Sequence, residues 1–293
     1  MRIASIDIGT NAIKSKIFET TPTSIDFLEA IRSPIRLGDD VFRHGKLSQG
    51  KLDEVIDTIK EYEKIFKSHA INQYEIVATS AFRDTSNSED ARRYIETSIN
   101  HPLRIISGLE EAQLMRFHPK SNTGNKKLFV DLGGGSTEFF IRNDHEIQIR
   151  SFQLGAVRNM LAKEDAGEWN RMSDWLQSIK PKKKLIGMGG NIRSLLQASG
   201  KKELKIEDFN KDVANLASYS TKEKIETFKF SSDRADVIDH AMKIFQIISD
   251  HLGIEAITST KWGISDSIAV KQFHELYSKK IIISHNKIQS SPK

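Results

Sequence analysis

The chain has 293 residues, with 44 lysines and arginines against 39 aspartates and glutamates, which gives a formal net charge of +5. This length can bury a sizeable core split between two domains, and the mildly basic balance favours an anionic ligand. The absence of cysteine excludes disulfides, thiolate metal sites and a cysteine nucleophile. No apolar run approaches the ~20 residues of a membrane span, and the amino terminus has a strand pattern, not that of a signal peptide. We therefore expect a cytoplasmic protein that does not associate with membranes.

The first part of the chain alternates strands with helices. The apolar run Ile3–Ile8 predicts a strand that is covered on both faces, and AIKSKIFE after the next turn predicts an antiparallel partner. The predicted elements that follow are a helix over Lys51–Ser68, a strand and its exit loop in YEIVATSAF, a helix over Ser88–Ser98, a strand over Leu103–Ile106 and a helix over Leu109–Phe117.

The pattern then restarts, and the whole order is typical of an α/β fold. The predicted elements are strands over Lys127–Asp131, Thr137–Arg142 and Asp144–Phe152, a helix over Glu164–Ile179, a strand, turn and helix in KKLIGMGGNIRSLL, helices over Lys205–Tyr219 and Arg234–Leu252, a strand in EAITST and a closing helix over Ser265–Tyr277. The tail KKIIISHNKIQSSPK has a strand-like pattern, and we expect its last residues to be frayed.

An internal repeat predicts two related domains. SIDIGTNAIKSKIF and FVDLGGGSTEFFIR share one plan, in which an apolar strand leads to an aspartate, a glycine turn and a second strand. Such a repeat suggests two domains that face each other, with one turn from each pointing into the cleft. We place the first domain at 1–118 and the second at 119–293, and we expect the segment from about 265 to 293 to pack back on the first.

The glycine turns combine bare backbone amides with carboxylates. Exposed amides suit phosphate oxygens, whereas Asp7, Asp131 and Glu138 offer the oxygen ligands that Mg²⁺ prefers. The chain lacks the Gly-Lys-[Ser/Thr] of the familiar phosphate loop, and a metal ion would supply the positive charge in its place. A single Asp-Gly hairpin would most often be structural only. Two matching hairpins and a third glycine turn at Gly187–Asn191 favour a metal–phosphate site.

At this point the motifs identify a resemblance. The segments IASIDIGTN, IVATSAFRDTSN, IISGLEEAQL, FVDLGGGSTEFFI, QLGAVR and IGMGGNIRSL occur in the order typical of the exopolyphosphatase/guanosine pentaphosphate phosphohydrolase (Ppx/GppA) family, which the chain resembles from about residue 2 to residue 270. The resemblance implies two actin-like, ribonuclease H-like domains with an interdomain cleft. It also implies release of the terminal phosphate from polyphosphate, with Mg²⁺ or Mn²⁺ as the cofactor.

The resemblance assigns roles to matching residues. Glu111 in SGLEEA matches the general base, and Arg83 in AFRD matches an arginine that stabilises charge on the transferred phosphate. Asp7, Asp131 and Glu138 match the metal-associated acids. The residues that match the phosphate-cradling turns are Gly9, Thr10, Asn11, Gly133, Gly134, Gly135, Ser136, Thr137, Gly189 and Gly190. We interpret Glu110 as a helix-start carboxylate.

Several arginines have two interpretations. A surface salt bridge with Asp84 or Glu89 is the alternative for Arg83, and Arg36 matches the family more weakly. Arg158 and Arg193 could face the cleft or pair structurally.

Two departures bear on substrate preference. Ala12 stands where the family has Ser or Thr, and Gly263–Ser267 replaces a Gly-x-Arg-Glu-Gly stretch. The resemblance also implies an alternative to a polyphosphatase, namely a guanosine pentaphosphate (pppGpp) 5′-phosphohydrolase linked to the stringent response. The departures motivate a further alternative, a nucleotide- or alarmone-binding sensor of the same fold with weak hydrolysis. The chain also lacks the helical carboxy-terminal region of longer members, which leaves homodimer formation an open prediction.

Two basic segments invite other interpretations. Arg43-His44-Gly45 resembles the core of histidine-phosphatase signatures, but it lies in a polar loop and does not follow a buried first strand. None of the nine histidines has paired metal-ligand spacing, which argues against a zinc site. The run Lys180–Lys184 is either a solvated loop or a guide for a polyanion, and no nucleic-acid-binding signature accompanies it.

Overall fold

The computed structural model of the protein describes residues 1–121, 127–143 and 146–288, without the side chains of 143 and 279–288. Two mixed β-sheets, each flanked by helices, divide the chain into two lobes. The predicted α/β class is thereby confirmed. Between the two sheets lies the cleft that carries the candidate site.

The first sheet has five strands in the order β3-β2-β1-β4-β5. They are β1 (Arg2–Ile8), β2 (Ala12–Thr20), β3 (Ile25–Pro34), β4 (Gln73–Ala78) and β5 (Leu103–Ile105). Strand β1 is central, antiparallel to β2 and parallel to β4. Every residue of β1 after Arg2 is buried, which explains its nearly continuous apolar sequence.

Helices cover this sheet and lead the chain to the cleft. They are α1 (Leu37–His44), α2 (Gln49–Ser68), α3 (Ser80–Arg83), α4 (Ser88–Ile99) and α5 (Gly108–Leu114), with a 3₁₀ turn over Met115–Phe117. Helix α2 buries the predicted face, which includes Leu52, Val55 and Ile59. The Ser107 hydroxyl accepts the amide of Glu110 at 3.1 Å and caps α5, which fixes the start of the helix that carries Glu111.

The second sheet has six strands in the order β10-β11-β9-β6-β7-β8. They are β6 (Lys127–Leu132), β7 (Thr137–Asn143), β8 (Glu146–Phe152), β9 (Lys184–Met188), β10 (Glu203–Lys205) and β11 (Ala256–Ser259). The helices are α6 (Ala156–Met160), α7 (Ala166–Ser178), α8 (Gly190–Ala198), α9 (Ile206–Ala217), α10 (Thr221–Phe228), α11 (Ser232–Ala235), α12 (Ile238–Leu252) and α13 (Ile264–Ile288). Among the described residues, no helix is long and apolar enough to cross a membrane.

The two sheets repeat one topology. Read from its other edge, the order β8-β7-β6-β9-β11 repeats β3-β2-β1-β4-β5. In the first hairpin Asp7 lies opposite Lys14, and in the second Asp131 lies opposite Glu138. The backbone amides of Gly9 and Gly133 close the two turns in the same way, donating to the carbonyls three residues later at 3.1 Å and 3.0 Å. The two hairpins therefore share the same strand pairing and the same turn hydrogen bond as well as the same sequence plan.

Some predicted elements differ in the structure. The tail predicted as strand-like continues helix α13 to Ile288, because no glycine or proline interrupts Ile264–Ile288 and the helix simply propagates. The predicted helix over Arg234–Leu252 is two helices, which break between Ala235 and Ile238. The frayed end predicted for residues 289–293 and the strand start predicted at 144 lie outside the described residues. The elements without a prediction are β3, α1, α3, α6, α10 and β10.

Helix α13 packs against the first sheet although it follows the second in sequence. The Ser5 hydroxyl donates to the backbone carbonyl of Ser265 at 2.7 Å, and the Gln272 side-chain amide donates to the carbonyl of Ala4 at 3.0 Å. Ala269 completes a small apolar cluster with Ile3 and Phe18. The domain boundary between 118 and 119 stays a prediction.

Candidate active site

A cavity of about 260 Å³ lies between the two hairpin turns. Eleven of the fifteen predicted site residues line it, namely Asp7, Gly9, Thr10, Asn11, Glu111, Asp131, Gly133, Gly134, Ser136, Gly189 and Gly190. The four that do not line it are Arg83, Gly135, Thr137 and Glu138. The structure therefore brings the two hairpin turns and the third glycine turn together, as the repeat predicts.

The turns approach each other so closely that the second has no room for side chains. A Cβ on Gly134 would lie 2.9 Å from Cβ of Thr10, and a Cβ on Gly135 would lie 2.5 Å from Oγ of Ser80. The hydroxyls of Thr10 and Ser80 are themselves 2.6 Å apart. Gly134 and Gly135 are thus required for contact between the lobes, and Gly135 serves that contact without facing the cavity.

Backbone amides of the turns are free to bind an anion. Within the part of the chain that the structure describes, the amides of Thr10, Asn11, Gly134 and Gly135 donate no hydrogen bond. The Asn11 side chain is already engaged across the cleft, where its amide donates to the carbonyl of Asp233 at 2.8 Å. Asn11 therefore contributes through its backbone.

Glu111 is buried at the cavity wall and held by Arg83. Its Oε2 accepts a hydrogen bond from Nη1 of Arg83 at 2.8 Å, and Nη2 of the same guanidinium donates to the Ser136 hydroxyl at 3.1 Å. Burial raises the pKa of Glu111 to about 7, Arg83 opposes this rise, and the nearby charges of Asp131 and Asp7 add to it. A carboxylate that titrates near neutral pH suits a general base.

These contacts distinguish between the two interpretations of Arg83 and agree with the one given for Glu110. Arg83 pairs with Glu111 and forms no salt bridge with Asp84 or Glu89 within the described residues. Glu110 is exposed at the start of α5 and pairs with Arg104, which agrees with its interpretation as a helix-start carboxylate.

Glu138 and Thr137 lie behind the cavity wall. The side chain of Glu138 is only 1% exposed, accepts a hydrogen bond from the Ser151 hydroxyl at 2.9 Å and lies 4.0 Å from Nη2 of Arg83. Burial, followed by repulsion from Glu111, raises the pKa of Glu138 well above its usual range. The Thr137 hydroxyl donates to the carbonyl of Leu154 at 2.6 Å, so it holds the fold together. Neither side chain faces the cavity.

Asp7 and Asp131 are the cavity carboxylates best placed for a cation. Burial raises the pKa of both, to about 6 for Asp131, and the nearby charge of Asp7 adds to the rise at Asp131. Lys14 lies 3.7 Å from Oδ2 of Asp7 and only partly offsets this, while Oδ1 of Asp7 is buried without a hydrogen-bond partner among the described residues. A divalent cation would relieve this repulsion and satisfy that oxygen.

The donor set fits Mg²⁺ only with help from other oxygens. No group of three or more His, Cys, Asp or Glu residues within the described ranges could hold a metal ion alone. Magnesium usually keeps several waters and binds phosphate as well as one or two carboxylates, so two aspartates are a sufficient protein share. Glu138, predicted as the third ligand, lies outside this set because it does not face the cavity.

Six basic side chains also line the cavity, and five of them had no prediction as site residues. They are Lys14, Lys16, Arg32, Arg193, Arg234 and Lys261, of which only Arg193 had been considered a cleft residue and Arg32 lies in the unpredicted strand β3. The hairpin register could have found Lys14, because it occupies the position opposite Asp7 that Glu138 occupies opposite Asp131. Arg234 could not have been found this way, since it comes from α11.

The remaining arginines connect the lobes. Arg158 donates to the carbonyl of Gly135 at 2.8 Å and pairs with Asp84, so its structural alternative is the one observed. Arg36 pairs with Asp236 across the cleft at 2.7 Å and with Asp39 at 2.8 Å. Neither arginine lines the cavity.

The altered stretch Gly263–Ser267 borders the cavity, whereas the two basic segments, Arg43-His44-Gly45 and Lys180–Lys184, lie away from it. Asp266, in the altered stretch, accepts the amide of Gly263 at 2.7 Å and pairs with Lys16 at 2.5 Å, closing one end of the cavity. His44 is exposed at the end of α1. No lysine of Lys180–Lys184 lines the cavity. This run leads into the start of β9, and the cavity lies at the other end of that strand, beside Gly189.

The comparisons with known proteins agree with this geometry. The sequence model of the Ppx/GppA phosphatase family matches residues 16–166. The chain is 24% identical to Exopolyphosphatase 1 of Mycobacterium tuberculosis over 327 residues, which cover 99% of this chain and 94% of the relative, and it matches the Mycobacterium bovis protein equally.

Solved structures show the same fold. An exopolyphosphatase from Cytophaga hutchinsonii is similar with a TM-score of 0.80 and 22% identity, covering 94% of this chain and 98% of that one. The Aquifex aeolicus member of the Ppx/GppA family has a TM-score of 0.75, 22% identity and the same coverage. These structures confirm the predicted α/β fold, in which two sheets of the same topology form two lobes.

Proposed function

The chain belongs to the Ppx/GppA phosphatase family, and from that premise we propose that it hydrolyses the terminal phosphoanhydride bond of inorganic polyphosphate. The observation that carries this proposal is the position of Glu111, which is buried at the cavity wall, fixed by Arg83 and placed between two turns of bare amides. The curated relatives named exopolyphosphatase support the choice of substrate.

In the proposed reaction, Glu111 accepts a proton from a water molecule whose oxygen attacks the terminal phosphorus. The bond from that phosphorus to the bridging oxygen breaks, and the electron pair stays on the shortened chain. The products are inorganic phosphate and a polyphosphate one unit shorter. Because the pKa of Glu111 is raised to about 7, its carboxylate is a stronger base than an exposed glutamate and is still substantially ionised at neutral pH.

The charge that develops on the transferred phosphate meets donors from both lobes. The amides of Thr10 and Asn11 belong to the first turn, and those of Gly134 and Gly135 to the second. Donors that are fixed before the reaction stabilise a developing charge without reorganising. Asp7 and Asp131 would hold Mg²⁺, which would supply positive charge to the phosphate oxygens. Arg83 acts through Glu111 as a positioning residue, since it does not line the cavity.

Guanosine pentaphosphate is the second candidate substrate. Its 5′ triphosphate offers the same terminal phosphoanhydride, and two phenylalanine rings, Phe228 and Phe230, stack 5.5 Å apart beside the far end of the cavity. Aromatic rings of this kind can support a base. An alarmone-binding sensor with weak hydrolysis would use the same contacts.

The test is phosphate release from tripolyphosphate, long-chain polyphosphate and pppGpp, each measured with and without Mg²⁺. We expect Mg²⁺-dependent turnover of both polyphosphates that exceeds turnover of pppGpp. Preferred turnover of pppGpp would favour the second candidate. Tight nucleotide binding without turnover of any substrate would overturn the enzyme proposal in favour of the sensor.

A further inference from the structure

A second depression continues the cavity on the surface of the second lobe. It has a volume of about 280 Å³ and shares Arg32, Gly190, Arg193 and Arg234 with the cavity. We define the basic groove by Arg32, Arg193, Lys229 and Arg234 together with Phe228 and Phe230. Because the two spaces share four lining residues, they adjoin each other at Arg32, Gly190, Arg193 and Arg234.

The charges of the two spaces differ. The cavity is lined by the carboxylates Asp7, Glu111, Asp131 and Asp266 as well as by lysines and arginines, whereas none of the described residues that line the groove is acidic. The acids of the site are therefore confined to the cavity where hydrolysis is proposed, and the charged side chains described in the groove are all cationic. This is the arrangement that a polyanion with one reacting end requires.

Two of the groove arginines lack a carboxylate partner within the described part of the chain. Arg193 donates to the backbone carbonyl of Thr260 at 3.2 Å, and Arg234 donates to the side-chain oxygen of Asn191. Both are partly buried, and neither forms a salt bridge there, although Asp131 and Asp233 lie near enough to act on them electrostatically. Burial lowers the pKa of both guanidinium groups, and repulsion from Arg32 adds to this.

The backbone of Gly190 packs directly against the guanidinium of Arg234. A Cβ on Gly190 would overlap the guanidinium of Arg234, so the glycine leaves the space that the arginine occupies. Gly190 was predicted to cradle phosphate through its backbone, and here it also seats a cation at the junction of the cavity and the groove. A partly buried cation that is packed this closely and forms no salt bridge within the described residues is suited to bind an anionic ligand.

We propose that the basic groove binds the distal phosphates of a long polyphosphate chain while the terminal phosphate lies in the cavity at Glu111. This inference rests on the proposed function, because it assigns a second contact to the same substrate. Tripolyphosphate would occupy the cavity, whereas a long chain would continue past Arg193 and Arg234 to Lys229. The groove would then make the protein discriminate between substrates by length.

The test uses two variants that change the groove outside the cavity lining. Lys229→Glu and Gln197→Glu lie on opposite walls, at the end of α10 and on α8, and both positions are exposed. Lys222→Glu is the matched control, because it places the same charge on exposed α10 away from the groove. Melting curves of all three proteins establish that they fold.

For each groove variant we expect the ratio of KM for long-chain polyphosphate to KM for tripolyphosphate to rise roughly threefold to tenfold. We also expect a weaker salt dependence of KM for the long chain. The control should keep the wild-type ratio. An equal change for both substrates, or a ratio like that of the control, would overturn the inference while the proposed function stands.

Direct binding separates the two proposals. Glu111→Gln protein, titrated with long-chain polyphosphate by calorimetry, should bind more weakly when Lys229→Glu is added. If wild-type protein hydrolyses neither polyphosphate, the proposed function fails, and this titration still decides whether the groove binds the chain. Equal affinities with and without Lys229→Glu would refute the groove as a binding site.

Discussion

Arg83 and Glu111 form a buried ion pair, in which Nη1 of the guanidinium lies 2.8 Å from Oε2 of the carboxylate. Arg83 also donates to the carbonyl of Ile106 at 2.9 Å and to the Ser136 hydroxyl at 3.1 Å, so its fork is fixed by groups from both lobes. The orientation of Glu111 thus depends on the lobes being correctly placed relative to each other. Five predictions follow from this pair and from the turns around it.

Glu111→Gln should lower kcat for polyphosphate by about two to four orders of magnitude, because an amide cannot accept the proton of the attacking water. The measurement is phosphate release at saturating substrate. The matched control is Glu110→Gln, which alters the preceding, exposed carboxylate and should leave kcat near the wild-type value. Near wild-type turnover by Glu111→Gln would show that another group is the base.

The rate should fall on the acid side of neutrality, because the pKa of Glu111 is raised to about 7 and only its ionised form accepts a proton. Arg83 lowers that pKa, so Arg83→Gln should move the acid limb of the kcat/KM profile to higher pH as well as reduce the rate. Arg92→Gln removes an exposed arginine ion pair on α4 and should leave the limb in place. If the acid limb does not move in Arg83→Gln, the group that titrates in the pH profile is not Glu111.

Asp131→Asn should stabilise the protein at alkaline pH. Burial raises the pKa of Asp131 to about 6 in the folded state, so its contribution to stability is full below about pH 3.8 and is lost as pH rises through 6. At pH 8 we expect the free energy of unfolding of Asp131→Asn to exceed that of the wild type by about 1–3 kcal/mol, and the gap to shrink toward pH 5. Urea unfolding measures it, with exposed Asp57→Asn as the control.

The same variant tests the proposed metal site without an activity assay. If Asp131 and Asp7 hold Mg²⁺, the ion should raise the melting temperature of the wild type at pH 8, because it binds the folded state. The rise should be much smaller in Asp131→Asn and unchanged in Asp57→Asn. An equal rise in all three proteins would place the ion elsewhere.

Gly135→Ala should destabilise the protein by about 1–3 kcal/mol, because its Cβ would lie 2.5 Å from the Ser80 hydroxyl across the contact between the lobes. Adding Ser80→Gly should recover part of that loss. Gly50→Ala is the matched control, since it adds a Cβ with no neighbour within 4 Å near the start of α2. There we expect a gain of about 0.4–1 kcal/mol. Calorimetric unfolding of the four proteins distinguishes overpacking from the general effect of alanine.

The hairpins and most helices were predictable because their signals are local. Strands β1 and β6, which carry Asp7 and Asp131 one residue before their ends, are mostly buried, so their sequences are nearly continuous apolar runs. Strand β3 escaped prediction because it is mostly exposed, and its alternation is disturbed by a shift in register beside Phe18.

The cations of the site were less predictable, because they reach it from different parts of the fold. Lys14 lies on β2 opposite Asp7, Arg193 lies in the first turn of α8, and Arg234 lies on the short helix α11. No sequence spacing connects such residues. The position of Glu138 behind the wall also depends on packing, since the Ser151 hydroxyl on the neighbouring strand donates a hydrogen bond to its carboxylate there.

The return of helix α13 to the first sheet has a consequence for how the protein is made. The face of β1 that Gln272 and Ala269 cover is complete only when the last part of the chain is available. During synthesis from the amino terminus, this apolar face of β1 therefore stays uncovered until helix α13 has been synthesised. We therefore expect the first lobe to complete its fold only together with the second.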